Sequence, residues 1–221
     1  MNEASVLDST VEQEKINTDY LIVKRGMDII FGLIGMVFLI PITIIIKLAY
    51  ILTGDFASIF YHQVRVGKNG KLIKIYKYRS MIKGADVVLQ ELLKQKKYRD
   101  QWEKNQKLDD DPRITSIGKI IRKLSLDEMP QFINVLKGDM SLIGPRPLVV
   151  GELDAHNGNH KLYESVRPGI TGWWACNGRS ATDYEERLEL EYYYVRNISF
   201  KLDVTCIFRT IKAVIKREGA K

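Results

Sequence analysis

Residues 24–47 read KRGMDIIFGLIGMVFLIPITIIIK, and this stretch decides how the chain is organised. Within it, Ile29–Ile46 carries no charged residue. As a helix this run would reach about 27 Å, barely enough to cross the hydrocarbon core of a bilayer. Pro41 lacks the amide N–H that a helix uses at this position, so we expect the helix to kink or break there. Basic residues flank both ends of the run, so the positive-inside rule favours neither end outside the cell.

Three arrangements of this apolar run are open. The prediction is a re-entrant, proline-broken helix that enters the membrane and returns to the cytoplasmic face, because it satisfies both the short length and the flanking charges. A kinked helix that spans the bilayer and a buried core helix are the alternatives. The predicted boundaries are a mobile acidic tail over residues 1–19, the membrane helix-break-helix over residues 20–53, and a cytoplasmic domain over residues 54–221.

The composition narrows the class of protein. The chain has 221 residues, of which 45% are hydrophobic and 28% charged; this excludes a disordered chain and a polytopic membrane protein. Two cysteines, Cys176 and Cys206, are too few for a disulfide framework or a zinc quartet and indicate a reducing compartment. The net charge is +7, and residues 64–99 hold eleven basic residues against two acidic ones. This basic stretch favours a partner rich in phosphate: a nucleotide, a nucleic acid or anionic lipid.

A β-hairpin is predicted after the apolar run. The strand candidate 58–66 leads into Asn69-Gly70, a pair typical of a type I′ turn, and residues 72–78 return as the second strand. The hairpin carries several basic side chains, among them Lys71, Lys74, Lys77 and Arg79. A run of charges often does no more than solvate a surface, but beside a membrane segment it favours contact with phosphate or lipid.

Two further segments have the period of amphipathic helices. Residues 117–124 place isoleucines and a leucine on one face and basic residues on the other, and residues 207–217 repeat this pattern. Such helices either pack on the core or lie in the membrane interface.

Asp127 and Glu128 are the candidate catalytic carboxylates, and two interpretations of them are open. Ser125-x-x-Glu128 has the pattern of a capping box, and acidic residues are favoured in the first turn of a helix that Gly138 would end. Adjacent carboxylates at such a point can also hold a divalent ion or attack an electrophile. The surrounding basic residues, of the kind that a phosphate site needs, favour the second interpretation; they are Arg113, Lys119, Arg122 and Lys123.

Two proline-containing turns carry an arginine each. Pro145 and Pro147 fix the backbone around Arg146, which would orient its guanidinium for a bidentate phosphate contact. Arg167 similarly precedes a Pro-Gly turn followed by two tryptophans. Plain turns are the alternative for both. Sequence signatures of the Walker, GxGxxG and HExxH type are absent, and the loop-forming residues between His156 and His160 disfavour a metal pair.

Taken together, eight motifs resemble the bacterial sugar transferase family, the monotopic phosphoglycosyl transferases, which move a sugar 1-phosphate from a nucleotide sugar to polyprenyl phosphate. The resemblance covers residues 20–216, with the motifs in the family's order. The motifs are Lys24-Arg25-x-x-Asp28, the apolar helix broken at Pro41, Arg65-Val66-Gly67-x-Asn69-Gly70-Lys71, Lys77-x-Arg79-Ser80-Met81, Asp111-Pro112-Arg113-Ile114-Thr115, Ser125-Leu126-Asp127-Glu128-x-Pro130-Gln131, Gly138-Asp139-Met140-Ser141-Leu142-x-Gly144-Pro145-Arg146-Pro147 and Arg167-Pro168-Gly169-Ile170-Thr171-Gly172.

The resemblance implies a role for each motif. The membrane helix starts at Lys24, Arg25 and Asp28, and its break at Pro41 lets it dip into one leaflet. Asp127 is the nucleophile and holds Mg²⁺ together with the substrate diphosphate, while Glu128 assists it. The implied phosphate or nucleotide-sugar contacts are Lys77, Arg79, Arg113, Arg122, Pro145, Arg146, Pro147 and Arg167.

The sequence departs from the family pattern in two places. Ala57-Ser58 stands where Gly-Pro is common, and Trp173-Trp174-Ala175-Cys176 replaces a run similar to Leu-Ala-Gln-Val. The second departure falls near the expected sugar or nucleotide pocket, so it bears on which substrate is used. Only a short N-terminal region precedes the family motifs, and we therefore expect the minimal form of the enzyme.

The expected fold is α+β: a re-entrant membrane helix followed by a small, mostly helical catalytic domain with a β-hairpin and amphipathic interfacial helices. The expected function is Mg²⁺-dependent transfer of a sugar 1-phosphate to polyprenyl phosphate at the cytoplasmic face of the cytoplasmic membrane, priming the assembly of a surface polysaccharide. Its partners are a nucleotide sugar, with uridine a family-level expectation, polyprenyl phosphate and membrane lipid; the oligomeric state, including a homo-oligomer, is left open. The alternative is a non-catalytic membrane scaffold or anionic-lipid-binding protein. A nucleic-acid partner is not expected, because no binding motif is present and aromatic residues do not interleave with the basic stretch as stacking platforms.

Overall fold

The structure is a computed structural model that describes residues 18–105, 108–178 and 182–216. The helices are α1 Thr18–Leu52, α2 Ala85–Leu93, α3 Lys96–Asn105, α4 Ser116–Lys123, α5 Gln131–Lys137, α6 Glu152–Ala155, α7 His160–Tyr163, α8 Trp173–Asn177, α9 Tyr184–Arg196 and α10 Phe200–Lys216. The strands are β1 Phe60–Val66, β2 Leu72–Tyr78, β3 Ser141–Ile143 and β4 Gly169–Thr171. A mostly helical α+β fold with a long apolar N-terminal helix is therefore confirmed. Of the predicted acidic tail, residues 1–17 lie outside the described residues.

One stripe of α1 packs on the rest of the protein from end to end. The buried positions recur every three, four or seven residues, which places them on one face of a helix; they are Lys24, Asp28, Gly32, Gly35, Leu39, Ile46 and Tyr50. Two of them allow close packing: a Cβ at Gly32 would meet Leu136 at 2.8 Å, and one at Gly35 would meet the Phe132 ring at 2.5 Å. The helix is therefore part of the folded domain as well as its most apolar segment.

The predicted break at Pro41 is not seen: Thr18–Leu52 is one helix with Pro41 inside it. Proline has a helical φ angle, so it costs the helix one N–H donor and crowds one carbonyl without ending it. Leu39 before it and Ile46 after it are both buried against the domain, and these contacts hold the two flanking segments in one helix. Pro41 itself is exposed. Whether the helix enters and leaves the same side of a membrane stays a prediction.

The remaining faces of α1 are apolar and exposed. Within the described residues, Tyr20–Leu52 is the helix long and apolar enough to cross a membrane, judged by length and composition, and only 22% of its most apolar window is buried. A core helix of a soluble protein would bury most of such a window. An exposed apolar surface of this length indicates association with a membrane, and it disfavours the buried core helix.

Lys24 fastens the start of α1 to the last two helices. Its Nζ lies 2.5 Å from Asp203 in α10 and donates to the Tyr194 hydroxyl in α9 at 3.3 Å. Tyr20 and Tyr194 also donate to the Asp203 carboxylate. Both members of the ion pair are buried, so each charge depends on the other for solvation.

Arg25 and Asp28 fasten the next turn of α1. The Arg25 guanidinium donates to two carbonyls in the last turn of α5, at 2.7 and 2.9 Å, where the helix dipole favours a cation. The buried Asp28 carboxylate accepts hydrogen bonds from the Ser141 hydroxyl and the Leu142 N–H, both at 2.9 Å. The residues of the motif at the start of the helix therefore connect α1 to the rest of the domain through hydrogen bonds and an ion pair.

The predicted β-hairpin is confirmed. Strands β1 and β2 pair antiparallel from Phe60↔Tyr78 to Val66↔Leu72. Asn69 and Gly70 have φ angles of 56° and 73°, and the Lys71 N–H donates to the Lys68 carbonyl at 3.2 Å. Positive φ at both central residues is the requirement of a type I′ turn, which asparagine and glycine meet at little cost.

A second, two-stranded sheet brings the two proline turns together. Strands β3 and β4 pair in parallel, with Ser141 opposite Gly169. A Cβ at Gly144 would lie 2.5 Å from the Arg167 carbonyl oxygen, and one at Gly169 would lie 2.2 Å from the Gly144 nitrogen. The loops that carry Arg146 and Arg167 can approach this closely because each contributes a glycine.

The two predicted amphipathic helices, α4 and α10, each split their apolar residues between core and surface. In α4, Ile121 is buried while Ile120 is 59% exposed. In α10, Cys206 and Ala213 are buried, whereas Ile211, which the helical period places on the same face as Ile207, is 51% exposed. The packed face of α10 is therefore rotated from the one that the isoleucines suggested, because the buried Asp203 must point towards Lys24.

Candidate active site

The predicted carboxylate pair lies in a short 3₁₀ turn, Leu126–Glu128, between α4 and α5. The capping-box interpretation is wrong, because Ser125 makes no side-chain capping bond and adopts a left-handed conformation with φ 54°. Helix α5 starts only at Gln131, after Pro130. Asp127 and Glu128 are thus outside the first turn of α5, and helix capping does not explain why they are there.

Two basic residues from different elements reach the pair. Lys77 Nζ in β2 lies 2.9 Å from Glu128 Oε1, and the positive charges of Lys77 and Arg122 both act on Asp127. Arg122 lies in the last turn of α4. The structure therefore brings Lys77, which is distant in sequence, to Arg122, Asp127 and Glu128, which are near one another along the chain.

The surroundings of Asp127 raise the pKa of its carboxyl above the ordinary value. Burial is the main cause and the negative charge of Glu128 adds to it, while Lys77 and Arg122 act in the opposite direction. A carboxylate with little solvation is a better nucleophile once it is ionised, since it has less water to lose before it attacks. A perturbed carboxyl with specific charged neighbours is typical of a functional site.

Arg79 and Arg113, predicted to contact phosphate, are engaged elsewhere. Arg113 is buried and forms a bidentate pair with Asp111 at 2.6 and 2.8 Å. Arg79 lies 2.9 Å from Asp55 and stacks over the Tyr50 ring at 4.6 Å, which joins the end of α1 to the hairpin. Both arginines are therefore structural ties in the part of the chain that the structure describes.

The residues of the two proline turns make contacts of their own. Arg167 donates from Nε to the Gly138 carbonyl at 2.9 Å and so caps the end of α5. Pro145 is buried and its carbonyl accepts from the Gly169 N–H at 2.8 Å, while Pro147 is half-buried. These contacts fix the loop, and Arg146 between the two prolines is exposed.

Arg146 belongs to a separate group of charged residues. Its backbone N–H donates to Glu191 Oε1 at 3.0 Å, and its charge acts on Arg65 together with that of Arg187. Sequence reasoning missed Arg187 and Glu191 altogether. A signal was present: Glu191 falls between Leu188 and Val195 on the buried face of α9, where a lone carboxylate calls for a charged or polar partner.

The donor set at the pair fits Mg²⁺ shared with a substrate. No group of three or more histidine, cysteine or acidic side chains able to hold a metal occurs in residues 18–105, 108–178 and 182–216. Asp127 and Glu128 offer two hard oxygen donors, and Mg²⁺ commonly takes one or two carboxylates, with water and substrate phosphate completing its shell. A divalent cation would also offset the repulsion by which Glu128 raises the Asp127 pKa.

Replacing Lys77 tests the electrostatics of the pair. Because Lys77 lowers the pKa of Asp127, Lys77→Met should raise it further. Activity that needs ionised Asp127 falls as the pH drops through that pKa, so the acid limb of kcat/KM should move to higher pH in the variant. The measurement is kcat/KM against pH for both proteins.

Lys74→Met is the matched control, since Lys74 is an exposed lysine on the same strand and should leave the acid limb in place. A Lys77→Met profile that coincides with the wild type would contradict the assignment of this limb to Asp127.

The chain is similar to known proteins over most of its length. A sequence model of one protein family, Bacterial sugar transferase, matches residues 19–217. The chain is 44% identical over 198 residues to the undecaprenyl-phosphate galactose phosphotransferase of Salmonella typhimurium, covering 89% of this chain and 41% of that protein. It is 38% identical over 198 residues to the exopolysaccharide production protein ExoY of Sinorhizobium fredii, covering 89% and 87%.

The name of a third relative includes both of its substrates. The UDP-N-acetylgalactosamine-undecaprenyl-phosphate N-acetylgalactosaminephosphotransferase of Aeromonas hydrophila is 36% identical over 208 residues, covering 91% of this chain and 46% of that protein. The chain thus spans less than half the length of the Salmonella and Aeromonas relatives and most of the length of ExoY.

Proposed function

The chain belongs to the bacterial sugar transferase family, and on that premise we propose that it transfers a sugar 1-phosphate from a UDP-sugar to polyprenyl phosphate. The reaction would prime the assembly of a capsular, exopolysaccharide or other surface glycan. The observation that carries the proposal is the half-buried Asp127–Glu128 pair, supported by Lys77 and Arg122 and attached to a helix with exposed apolar faces. The names of two relatives, which include undecaprenyl phosphate and a UDP-sugar, support the proposed acceptor and donor.

Asp127 acts as the nucleophile in this proposal. Its ionised carboxylate attacks the β-phosphorus of the nucleotide sugar, and the bond from that phosphorus to the bridging oxygen breaks. The nucleoside monophosphate leaves with the bridging oxygen and its electron pair, and a phosphosugar remains on the carboxylate as an acyl phosphate. The phosphate of the lipid then attacks the same phosphorus and releases Asp127, so the kinetics are ping-pong.

The neighbours of Asp127 prepare the carboxylate and the phosphates. Lys77 pairs with Glu128 at 2.9 Å and favours the ionised form of Asp127. Arg122, in the last turn of α4, adds a second positive charge near Asp127, which would stabilise the oxygens of the attacked phosphate. Mg²⁺ bound at Asp127 and Glu128 would neutralise diphosphate charge during the transfer.

The packing of α1 supports an arrangement in which the unbroken helix stays at one face of the membrane, which we propose to be the cytoplasmic face of the cytoplasmic membrane. Lys24 near the start of the helix bonds to Asp203, and Tyr50 near its end donates to the Arg79 carbonyl at 2.6 Å. A helix that crossed the bilayer would separate these two ends by the hydrocarbon core, yet both are fastened to the same domain. The exposed apolar faces would then enter one leaflet and hold the site where a lipid phosphate resides.

The proposal is tested by nucleoside monophosphate release from the detergent-solubilised protein. The reaction contains Mg²⁺, polyprenyl phosphate and a panel of nucleotide sugars. We expect release from a UDP-sugar that requires Mg²⁺, a small stoichiometric burst without the lipid, and sustained turnover only when the lipid is added. A folded protein that releases no monophosphate from any donor would contradict the proposal and favour a non-catalytic membrane scaffold.

A further inference from the structure

Three arginines from distant parts of the sequence converge beside the Pro-Arg-Pro loop. Arg65 comes from β1, Arg146 from the loop and Arg187 from α9; we call this group the arginine cluster. Burial lowers the pKa of Arg65, and the positive charges of Arg146 and Arg187 lower it further. Three guanidinium groups this close repel one another, so the arrangement needs compensating negative charge.

The cluster holds buried donors without acceptors. Arg65 is 9% exposed, and although its Nη2 donates to Gln63 at 2.6 Å, its Nη1 has no hydrogen-bond partner among the described residues. Arg187 reaches Glu152 through Nη1 at 3.2 Å and also interacts with the Tyr163 hydroxyl, but its buried Nε and Nη2 have no acceptor with good hydrogen-bond geometry among the described residues. A guanidinium stays charged in a protein, so donors of this kind are expected to meet an anionic ligand.

The acidic residues nearby offset only part of this charge. Glu152 pairs with Arg187. Glu191 is almost fully buried and accepts from the Arg146 N–H through Oε1, while its Oε2 has no partner among the described residues. Burial raises the pKa of Glu191 to about 7, against the lowering effect of the Arg146 N–H and of the Arg187 and Arg146 charges. Even with both carboxylates ionised, the three arginines outnumber the two acidic side chains. The cluster is therefore net positive.

Trp174 gives the cluster a flat aromatic wall. The Arg187 guanidinium lies 4.9 Å from the Trp174 ring centre and that of Arg146 lies 5.8 Å from it. The indole Nε1 donates to the Thr182 hydroxyl at 2.8 Å, which fixes the ring. A ring held beside guanidinium groups suits a ligand that combines a phosphate with a base or sugar ring.

We propose that the arginine cluster and Trp174 bind the nucleoside phosphate part of the donor, with its phosphate on Arg65, Arg146 and Arg187 and its ring system against Trp174. This inference rests on the proposed function and adds to it three binding residues: Arg65, Arg187 and Trp174. Trp174 falls in the Trp173–Cys176 segment that departs from the family pattern, so it would contribute to donor selection in this chain.

The experiment measures binding to the full-length, detergent-solubilised protein by calorimetry. The probes are UMP, inorganic phosphate and polyprenyl phosphate. Arg187→Met should weaken UMP binding about tenfold or more, since it removes a charge-assisted contact, and should leave polyprenyl phosphate binding unchanged. Trp174→Ala should weaken UMP binding and leave inorganic phosphate binding unchanged. Arg196→Met is the matched control, because Arg196 is an exposed arginine on the same helix that lies 5.8 Å from the Tyr192 ring.

Wild-type affinity for UMP in Arg187→Met would overturn the inference. Loss of polyprenyl phosphate binding with UMP binding retained would also overturn it and assign the cluster to the lipid phosphate. Arg187 is paired with Glu152; should its replacement prevent folding, Trp174→Ala alone decides, because it removes no ion pair. A wild-type protein that releases monophosphate while the variants bind UMP normally contradicts this inference only, whereas absent release contradicts the proposed function.

Discussion

Asp127→Asn should reduce transfer by about a thousandfold or more while leaving the fold intact. Loss of a nucleophile removes the covalent route, and effects of this size are typical of such residues. The substitution keeps the size of the side chain and removes a carboxyl whose pKa is raised mainly by burial. A neutral amide in that place is no more costly to bury, so the melting temperature should not fall. The measurement is monophosphate release in the first turnover, with and without polyprenyl phosphate.

Asp109→Asn is the matched control, since Asp109 is an exposed acidic residue upstream of α4 and should retain wild-type activity. A labelled sugar phosphate should stay attached to the wild-type chain in the absence of lipid and be lost in Asp127→Asn. An Asp127→Asn protein that still transfers sugar phosphate at a comparable rate would contradict the assignment of Asp127 as the nucleophile and would favour a structural role for the Asp127–Glu128 pair.

Lys24→Met should lower the free energy of unfolding by about 3–5 kcal/mol, the usual effect of removing one partner from a buried ion pair. Asp203 would keep its hydrogen bonds from Tyr20 and Tyr194 but lose the charge that offsets its own. The measurement is chemical or thermal unfolding of the solubilised protein, followed through the tryptophans. Because Lys24 holds the start of α1 to α9 and α10, we also expect protease cleavage near the start of α1 to increase.

Two further variants separate charge from packing. Lys47→Met is the control on the same helix, since Lys47 Nζ makes only a 3.5 Å contact with the Phe56 carbonyl, and its stability should match the wild type. Lys24→Met combined with Asp203→Asn removes both charges and should recover most of the loss. A double variant as unstable as Lys24→Met would show that the cost comes from packing and not from an isolated buried charge.

The Asp127→Asn and Lys24→Met variants test different parts of the protein. Asp127→Asn should remove chemistry and spare the fold, whereas Lys24→Met should loosen the attachment of α1 and affect activity only through the loss of folded protein. Since α1 contacts α5 through Gly32 and Gly35, and α5 follows the turn that carries Asp127, the apolar helix and the candidate site belong to one packed unit.

Local features of the sequence determined the apolar helix, the hairpin turn and the end of α5. The length and apolarity of Ile29–Ile46, the Asn69-Gly70 turn and the end of α5 at Gly138 all follow from the preferences of a few adjacent residues, and the structure has each of them. The sequence also predicted that Asp127 and Glu128 lie among basic residues, because Lys77 belongs to one of the motifs and Arg122 is close to Asp127 along the chain.

Long-range packing decided the rest. Pro41 was expected to break α1, but contacts on both sides of it hold one helix. Arg79 looks like the other basic residues in sequence, and only the fold pairs it with Asp55. Arg113 pairs with Asp111 in the same motif, and its burial is what the fold adds. The sequence shows which side chains carry charge, but their partners depend on which elements meet, and that is set by burial and hydrogen bonding summed over the whole domain. The convergence of Arg65, Arg146 and Arg187 beside Trp174 was therefore decided by the tertiary structure alone.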